Sequence, residues 1–356
     1  MPEPPRRAAV LAIDGGNSKT DVALVSADGS LLAEARGGGM NPQRTGLGTT
    51  MRSLRALVTA AAREAGLGAA PAGDDAAAAM PVASHMSACL ANVDLPEEEE
   101  RVGAALAAAG WSLTSSLIND TFAVLRAGLD GSAAGPDGTS RWGVGVTCGA
   151  GINCVGVAPD GRTTRFLSLG PETGDWGGGG ALGMECLWWA MRAWDGRGPQ
   201  TMLREAVPRH FGLPEVRDVA IGVHTGTVPR SRLLGLASVL FEVAGRGDRV
   251  ARDLVLRQAE EICVMALTAI RQLGLGGHEV PVVLGGGILT ARDPLLTDAI
   301  RAGLTAGAPQ AVLRIVDVPP VAGAALLGLD HLAAPASAEQ RLRAAYLSRP
   351  ARSQAD

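Results

Sequence analysis

The chain has 356 residues, 47% hydrophobic, 19% charged and 3% aromatic, with a formal net charge of −4 at pH 7. A nucleic-acid binder would carry a basic excess and a membrane span an apolar run of ~20 residues; neither is present. Five scattered cysteines (Cys89, Cys148, Cys154, Cys186, Cys263) with no CxxC pair point to a reduced, cytoplasmic setting and against a structural zinc site or disulfide framework.

At ~100–200 residues per domain the length suggests two domains. All 32 basic residues except Lys19 are arginine, and glycine, at 48 residues, is in excess. The apolar run over 8–13 is too short for a secretory core region and ends in Asp14-Gly15-Gly16, so it reads as a first strand. A tight turn, Asp14 to Thr20, follows. Strands are expected over 21–25 and 31–35, joined by the hairpin signal Asp28-Gly29. Apolar spacing at Leu54, Leu57, Val58 and Ala61 predicts a helix over 49–65, and 66–80 reads as a surface loop. A strand is expected over 81–90. A helix opens at Asp94 and Pro96, its Glu97 to Glu100 run suiting a helix N-terminus. A strand over 113–118 ends at Asn119-Asp120, and a helix starts at Thr121.

The second half repeats the opening. Strands over 142–146, 152–158 and 163–169 are joined by the turn Thr147-Cys148-Gly149-Ala150-Gly151 and by Pro159-Asp160-Gly161. Asp14 to Asp28 is 14 positions and Thr147 to Asp160 is 13, so the pattern is a domain-scale duplication rather than a solenoid repeat. A glycine-dense loop over 170–183 leads to helices over 181–194, 229–245 and 248–274. A strand over 280–284 runs into Gly285-Gly286-Gly287, followed by a helix over 291–306, a strand over 313–316, a helix over 320–332 and a loose tail. The expected fold is α/β, in two lobes with a ligand cleft between them. Residues 1–119 form the first lobe, which helix 320–333 could complete. Residues 120–319 form the second, with helical insertions, and 334–356 are a tail.

Three glycine turns stand at strand ends. In the first, Gly15 and Gly16 allow a ligand close to the backbone. Asn17, Ser18 and Thr20 add polar side chains, Lys19 a point charge, and Asp14 a carboxylate able to orient, through water, the Mg2+ of a bound polyphosphate. An ordinary hairpin with a glycine bulge would look similar. The second turn offers the Thr147 hydroxyl and the amides of Cys148, Gly149 and Gly151. The third, Gly285 to Gly287, could lay a flat ring against bare backbone, or be a plain strand-to-helix turn; it does not match G-x-G-x-x-G. Two phosphate turns would together clamp a nucleoside triphosphate.

Taken in order, IDGGNSKTDVALV, GGGMNPQRTG, INDTFAVLRAG, TCGAGIN, SLGPETGDWGGGGALG and VVLGGGI resemble the sugar kinase, Hsp70 and actin superfamily. Within it the chain resembles the BadF/BadG/BcrA/BcrD-type ATPases, N-acetylglucosamine kinase group, over residues 8–332. The resemblance implies the actin-like ATPase (ribonuclease H-like) fold, each lobe βββαβαβα, with ATP and Mg2+ as cofactors, an amino-sugar substrate and a homodimer. It makes Asp120 the catalytic base, accepting the proton of the sugar hydroxyl that attacks the γ-phosphate; by local sequence alone Asp120 could equally be a helix N-cap. It places Asn41, Asn119, Asn153, Glu172 and Asp175 around the sugar. Trp176 could cover a sugar face or belong to the core. Where the family segment often reads GDEG, this chain has Gly174-Asp175-Trp176-Gly177.

The activity implied is transfer of the ATP γ-phosphate to the 6-hydroxyl of N-acetylglucosamine, with glucosamine or N-acetylmuramate as other acceptors. The alternative from a different class is an iron–sulfur ATPase that activates 2-hydroxyacyl-CoA dehydratases. That role needs cysteines from two subunits in a glycine-rich setting, whereas these cysteines lie in apolar or phosphate-turn contexts. The five histidines, His85, His210, His224, His278 and His331, show no pairing, and none is assigned a role.

Overall fold

The computed structural model describes residues 7–67, 80–130 and 141–349; the loop expected over 66–80 lies, but for its ends, outside them. The chain forms two compact units. One comprises the residues up to Arg141 together with those from Val316 onward, the other Trp142–Ile315.

The first unit opens with an antiparallel meander, β1 (Ala8–Gly15), β2 (Lys19–Val25) and β3 (Leu31–Gly38). Helices α1 (Pro42–Thr45) and α2 (Leu47–Glu64) follow, then β4 (Ala83–Leu90), α3 (Pro96–Ala108), β5 (Ser112–Asn119) and α4 (Asp120–Gly128). The sheet order is β3-β2-β1-β4-β5, with β4 parallel to β1 and β5 parallel to β4. Almost every residue of β1 and β4 is buried, as expected of parallel strands covered on both faces. One face packs on α2 and α3 through Leu11, Ile13, Leu54, Val58, Met86 and Trp111.

The second unit repeats the plan. It contains β6 (Gly143–Cys148), β7 (Ile152–Val157) and β8 (Thr163–Arg165), then a helical insertion of α5 (Gly178–Asp195), α6 (Leu203–Phe211), α7 (Val216–Thr225), α8 (Leu236–Gly245) and α9 (Arg249–Gln272). The chain continues through β9 (Pro281–Gly285), α10 (Gly287–Thr290), α11 (Pro294–Gly307) and β10 (Val312–Ile315). Its sheet order, β10-β9-β6-β7-β8, is the first sheet's order with the same parallel and antiparallel pairs. Helix α9 lies on this sheet; a Cβ at Gly156 of β7 would come 2.7 Å from Leu273.

The chain then returns to the first unit as α12 (Pro320–His331) and α13 (Ala336–Leu347). Helix α12 is apolar nearly all round and fills the other face of the first sheet. Its small residues set the spacing: a Cβ at Gly323 would collide with the Ala123 carbonyl, and one at Gly328 would come 2.5 Å from Val10. Helix α4 is thereby seated on α12, which explains why the first unit runs past 119 to Arg141.

Four expectations are corrected. The tail is not loose from 334: Ala338, Glu339, Leu342 and Tyr346 of α13 are buried. Glu339 and Asp330 both bind the buried Arg126 of α4, at 2.8 and 2.6 Å. The strand expected to 169 stops at Arg165, and Ser168 turns the chain with φ 51°. The helix expected over 229–245 is a 3-10 turn over Arg230–Gly235 and then α8. His85, read as unpaired, is buried, hydrogen-bonds Thr114 and Ser116, and stacks on His331 at 4.0 Å.

Candidate active site

In the first unit the candidate residues gather at the carboxyl ends of β1, β4 and β5. Asp14, the penultimate residue of β1, is buried, and its antiparallel partner is Asp21. Arg36 holds Asp21 through two hydrogen bonds, at 2.6 and 3.1 Å. Burial, then the negative charges of Asp120 and Asp21, push the Asp14 carboxyl well above the usual range, against the pull of Lys19 and Arg36. A cation beside Asp14 would relieve that repulsion. Among the described residues no cluster of three or more His, Cys, Asp or Glu could hold a metal. A single buried carboxylate such as Asp14 suits Mg2+, which keeps several waters and takes few protein ligands.

Asp120 is the first residue of α4 and is half-buried. It is not the N-cap. Asn119 is: its Oδ1 accepts from Thr121 N at 2.9 Å, while its Nδ2 donates to Asp94 at 2.7 Å. The Asp120 carboxylate accepts from the Thr121 hydroxyl at 3.5 Å but is not needed for the cap. Burial, then the charge of Asp94, raise it to about 6.

The first glycine turn is tighter than the sequence suggests. Gly16 N donates to Lys19 O at 2.9 Å, so that amide closes the turn, and the Thr20 hydroxyl is buried on Gly38 O at 2.9 Å. Asn17, Ser18 and Lys19 are exposed at its tip, with Lys19 3.7 Å from Asp21. Gly15 has a packing reason: a Cβ there would come within 2.4 Å of Met40 and 2.7 Å of Leu90. The turn meets Asn41, which caps α1 by accepting from Arg44 N at 2.9 Å and donates to Asn17 at 3.4 Å. Asn92 also donates to Asn17, at 2.9 Å. Asn92, Asp94 and Asp21 were not singled out from the sequence. The structure holds Asn92 at φ 58°, a conformation asparagine tolerates better than most residues.

In the second unit the other motifs converge on the turn between β6 and β7. Thr147 and Asn153 are register partners across that hairpin. The Thr147 hydroxyl is buried with no hydrogen-bond partner, an orphaned donor that a ligand oxygen would satisfy. Cβ atoms at Gly149 and Gly151 would meet nothing within 4 Å; neither packing nor a positive φ requires glycine there. Gly149 N closes the turn on Gly151 O at 2.9 Å. The first turn of α5 sits on this loop, with Gly179 N on Gly149 O at 2.7 Å and Gly180 N on Ala150 O at 2.9 Å. Gly178, at φ 74°, would bring a Cβ 2.5 Å from Gly151. Part of the run at 177–180 therefore serves backbone packing, and α5 begins inside what was read as a loop. Gly286, between Gly285 and Gly287, likewise packs on Cys148: its Cβ would lie 2.4 Å from Cys148 O. The Cys148 thiol is buried and pushed up to about 12 by that burial, so it is a packing group rather than a thiolate.

Asn153 accepts from Ser168 Oγ at 2.6 Å. Asp175 accepts from Gly170 N at 3.3 Å and from the Thr173 hydroxyl. Ser168, Gly170, Asp175 and Trp176 line one cavity; exposed Glu172 does not.

Residues 11–328 match the BadF/BadG/BcrA/BcrD ATPase family. The chain belongs to that family. Over 223 residues, 62% of this chain and 67% of the relative, it is 27% identical to an N-acetyl-D-glucosamine kinase of Dictyostelium discoideum. Over 280 residues, 79% of this chain and 85% of the relative, it is 23% identical to an N-acetylmuramic acid/N-acetylglucosamine kinase of Clostridium acetobutylicum. A crystal structure from Chromobacterium violaceum, provisionally named an N-acetylglucosamine kinase, superposes with a TM-score of 0.66 at 25% identity, covering 91% of this chain and 99% of the other. The paired sheets and this likeness make the fold α/β, of the actin-like ATPase type. No helix among the described residues is long and apolar enough to cross a membrane.

Proposed function

We propose that this member of the family is an ATP-dependent amino-sugar kinase that phosphorylates the 6-hydroxyl of N-acetylglucosamine, with Asp120 as the base. The observation that carries the reading is the Asn119–Asp120 junction. Asn119 takes over the capping role, and Asp120 presents a carboxylate whose affinity for protons, at about 6, suits a base near neutral pH. In the step itself the sugar oxygen forms a bond to Pγ, the bond from Pγ to the β–γ bridging oxygen breaks, ADP leaves, and the hydroxyl proton passes to Asp120.

The turn at 147–151 would receive ATP phosphate oxygens, with the Thr147 hydroxyl as a donor and bare backbone at Gly149 and Gly151. Asp14 would hold Mg2+ through water, and Lys19 would add a positive charge at the tip of its turn. Mg2+, when bound, neutralises developing charge on the phosphates. Asn41 of the first unit, and Asn153 and Asp175 of the second, would each offer a planar group to a sugar hydroxyl. The iron–sulfur alternative is disfavoured by the cysteines: all five are buried, so none stands at a surface where a partner could share a cluster.

Phosphorus NMR of a reaction holding ATP, Mg2+ and N-acetylglucosamine tests the proposal. A new phosphomonoester signal coupled to the C6 protons is expected. ATP turnover that yields inorganic phosphate and no sugar phosphate overturns it.

A further inference from the structure

The second unit carries a half-open cavity of about 1120 Å3. Its lining includes the proposed sugar wall, with Gly151, Ser168, Gly170 and Asp175. Next to it, Trp176 and helices α5 and α9 contribute the apolar side chains Trp176, Met184, Trp188, Trp189 and Leu254 beside the charged Glu185, Arg249, Asp253 and Arg257. Pockets for drug-sized ligands run ~300–1,000 Å3. A single hexosamine is smaller than such ligands, so the proposed substrate leaves most of this space unfilled.

This tryptophan-bearing wall has the chemistry of a carbohydrate platform. Indole faces pair well with the apolar C–H face of a pyranose, and their flat area makes them strong contact groups. Arg257 lies 3.8 Å over the Trp176 ring and 3.6 Å from Glu185, which fixes that indole from one side. Arg192 covers one face of Trp188 at 4.5 Å, yet Trp188 remains 48% exposed and Met184 42%. Charge narrows the class of occupant. Both arginines of the lining are engaged by carboxylates, Arg257 by Glu185 and Arg249 by Asp253 at 3.8 Å. The lining sets three carboxylates, Asp175, Glu185 and Asp253, against the two guanidiniums of Arg249 and Arg257, a balance that does not favour an acidic occupant. Glu185, Asp253 and Gln200 line the same space and can bond hydroxyls. Such a wall suits a neutral, polyhydroxylated ring.

We propose that the sugar site extends into this cavity and that the chain accepts an amino sugar bearing a second, neutral sugar ring, which stacks on the tryptophan-lined wall. The inference rests on the kinase reading above and deepens it: the phosphoryl transfer is unchanged, and the extra ring adds binding away from the reacting hydroxyl.

Steady-state kinetics of the full chain with ATP and Mg2+ test it, comparing N-acetylglucosamine with its neutral β-1,4-linked disaccharide. The disaccharide is expected to give the higher kcat/KM, with mass spectrometry locating the phosphate on one ring. Trp188→Ala is expected to lower kcat/KM for the disaccharide about tenfold, the scale of one lost aromatic contact, and to leave the monosaccharide value unchanged. Met184→Ala should act in the same direction, less strongly. Turnover of the monosaccharide alone overturns this inference and leaves the kinase reading standing. Turnover of neither sugar overturns the kinase reading, and the inference with it. Equal losses for both sugars in Trp188→Ala count against it as well. So does conversion of a dimer to a monomer by Trp188→Ala with the sugar ratio unchanged, because a second copy would then be what covers the cavity.

Discussion

Asp120 sits where a strand hands over to a helix, a place at which an acidic residue is usually a cap. In this chain Asn119 accepts the Thr121 amide and Asp94 accepts from Asn119, so these two side chains carry the cap and Asp120 is not needed for it. Burial, with help from Asp94, favours its neutral form and raises it to about 6. A base works only when ionised, so kcat/KM should fall tenfold per pH unit below about 6 and level off above it. Asp94→Asn removes one of the charges that raise Asp120; the acidic limb of the pH–rate profile should then shift to lower pH, and an unmoved limb would remove Asp94 from this role. Asp120→Asn should cut kcat by about 10²–10⁴ while sugar binding by calorimetry persists; near-normal turnover would dismiss Asp120 as the base. The Asn119-Asp120 pair was legible in the sequence, but the division of roles was not. It depends on Asp94, 25 positions earlier, which local reading assigned to the start of a helix.

The glycine-rich elements separate into two kinds that sequence alone could not tell apart. Gly178 is forced by structure, with φ 74° and the Gly151 backbone 2.5 Å from where its Cβ would be. Gly178→Ala should therefore destabilise the second unit by about 1–3 kcal/mol, measured by denaturant unfolding. Gly149 has open space around it and no unusual φ. Gly149→Ala should leave stability within about 0.5 kcal/mol and raise the KM for ATP. Loss of stability with unchanged ATP kinetics would return Gly149 to a packing role. The strand–turn–strand pattern was legible because both hairpins carry short-range turn signals. Helices α6 and α7 were not: α6 carries Pro208 inside it, a residue that normally argues against a helix interior. Helix α13 was missed for a different reason. Its buried stripe includes Glu339, which reads as surface until its arginine partners are seen.

On the scale of the molecule, the same five-strand order occurs in both units, so the duplication read from two turn spacings extends to the strands and crossovers that follow. The first unit closes with a charged core in which α13 holds α4. Burial alone would raise the Glu339 carboxyl; hydrogen bonds and charge from Arg126, with Arg343 and Arg141, override it and hold it at about 2. Because the folded value lies below the usual carboxylate value of 4.5, this network stabilises the fold above pH ~4.5 and is lost as pH falls toward 2. Its size is on the order of 2–3 kcal/mol. Glu339→Gln should remove that pH dependence and lower stability at pH 7; identical acid-unfolding profiles for variant and parent would contradict it.

The proposed kinase must consume ATP to phosphorylate an amino sugar. The direct test is ADP release from ATP and Mg2+ across a panel of hexosamines, with glucose and no sugar as controls. The prediction is release that depends on an amino sugar, is highest with N-acetylglucosamine or a substituted form of it, and is abolished in Asp120→Asn. ADP release that no sugar raises above background would contradict it.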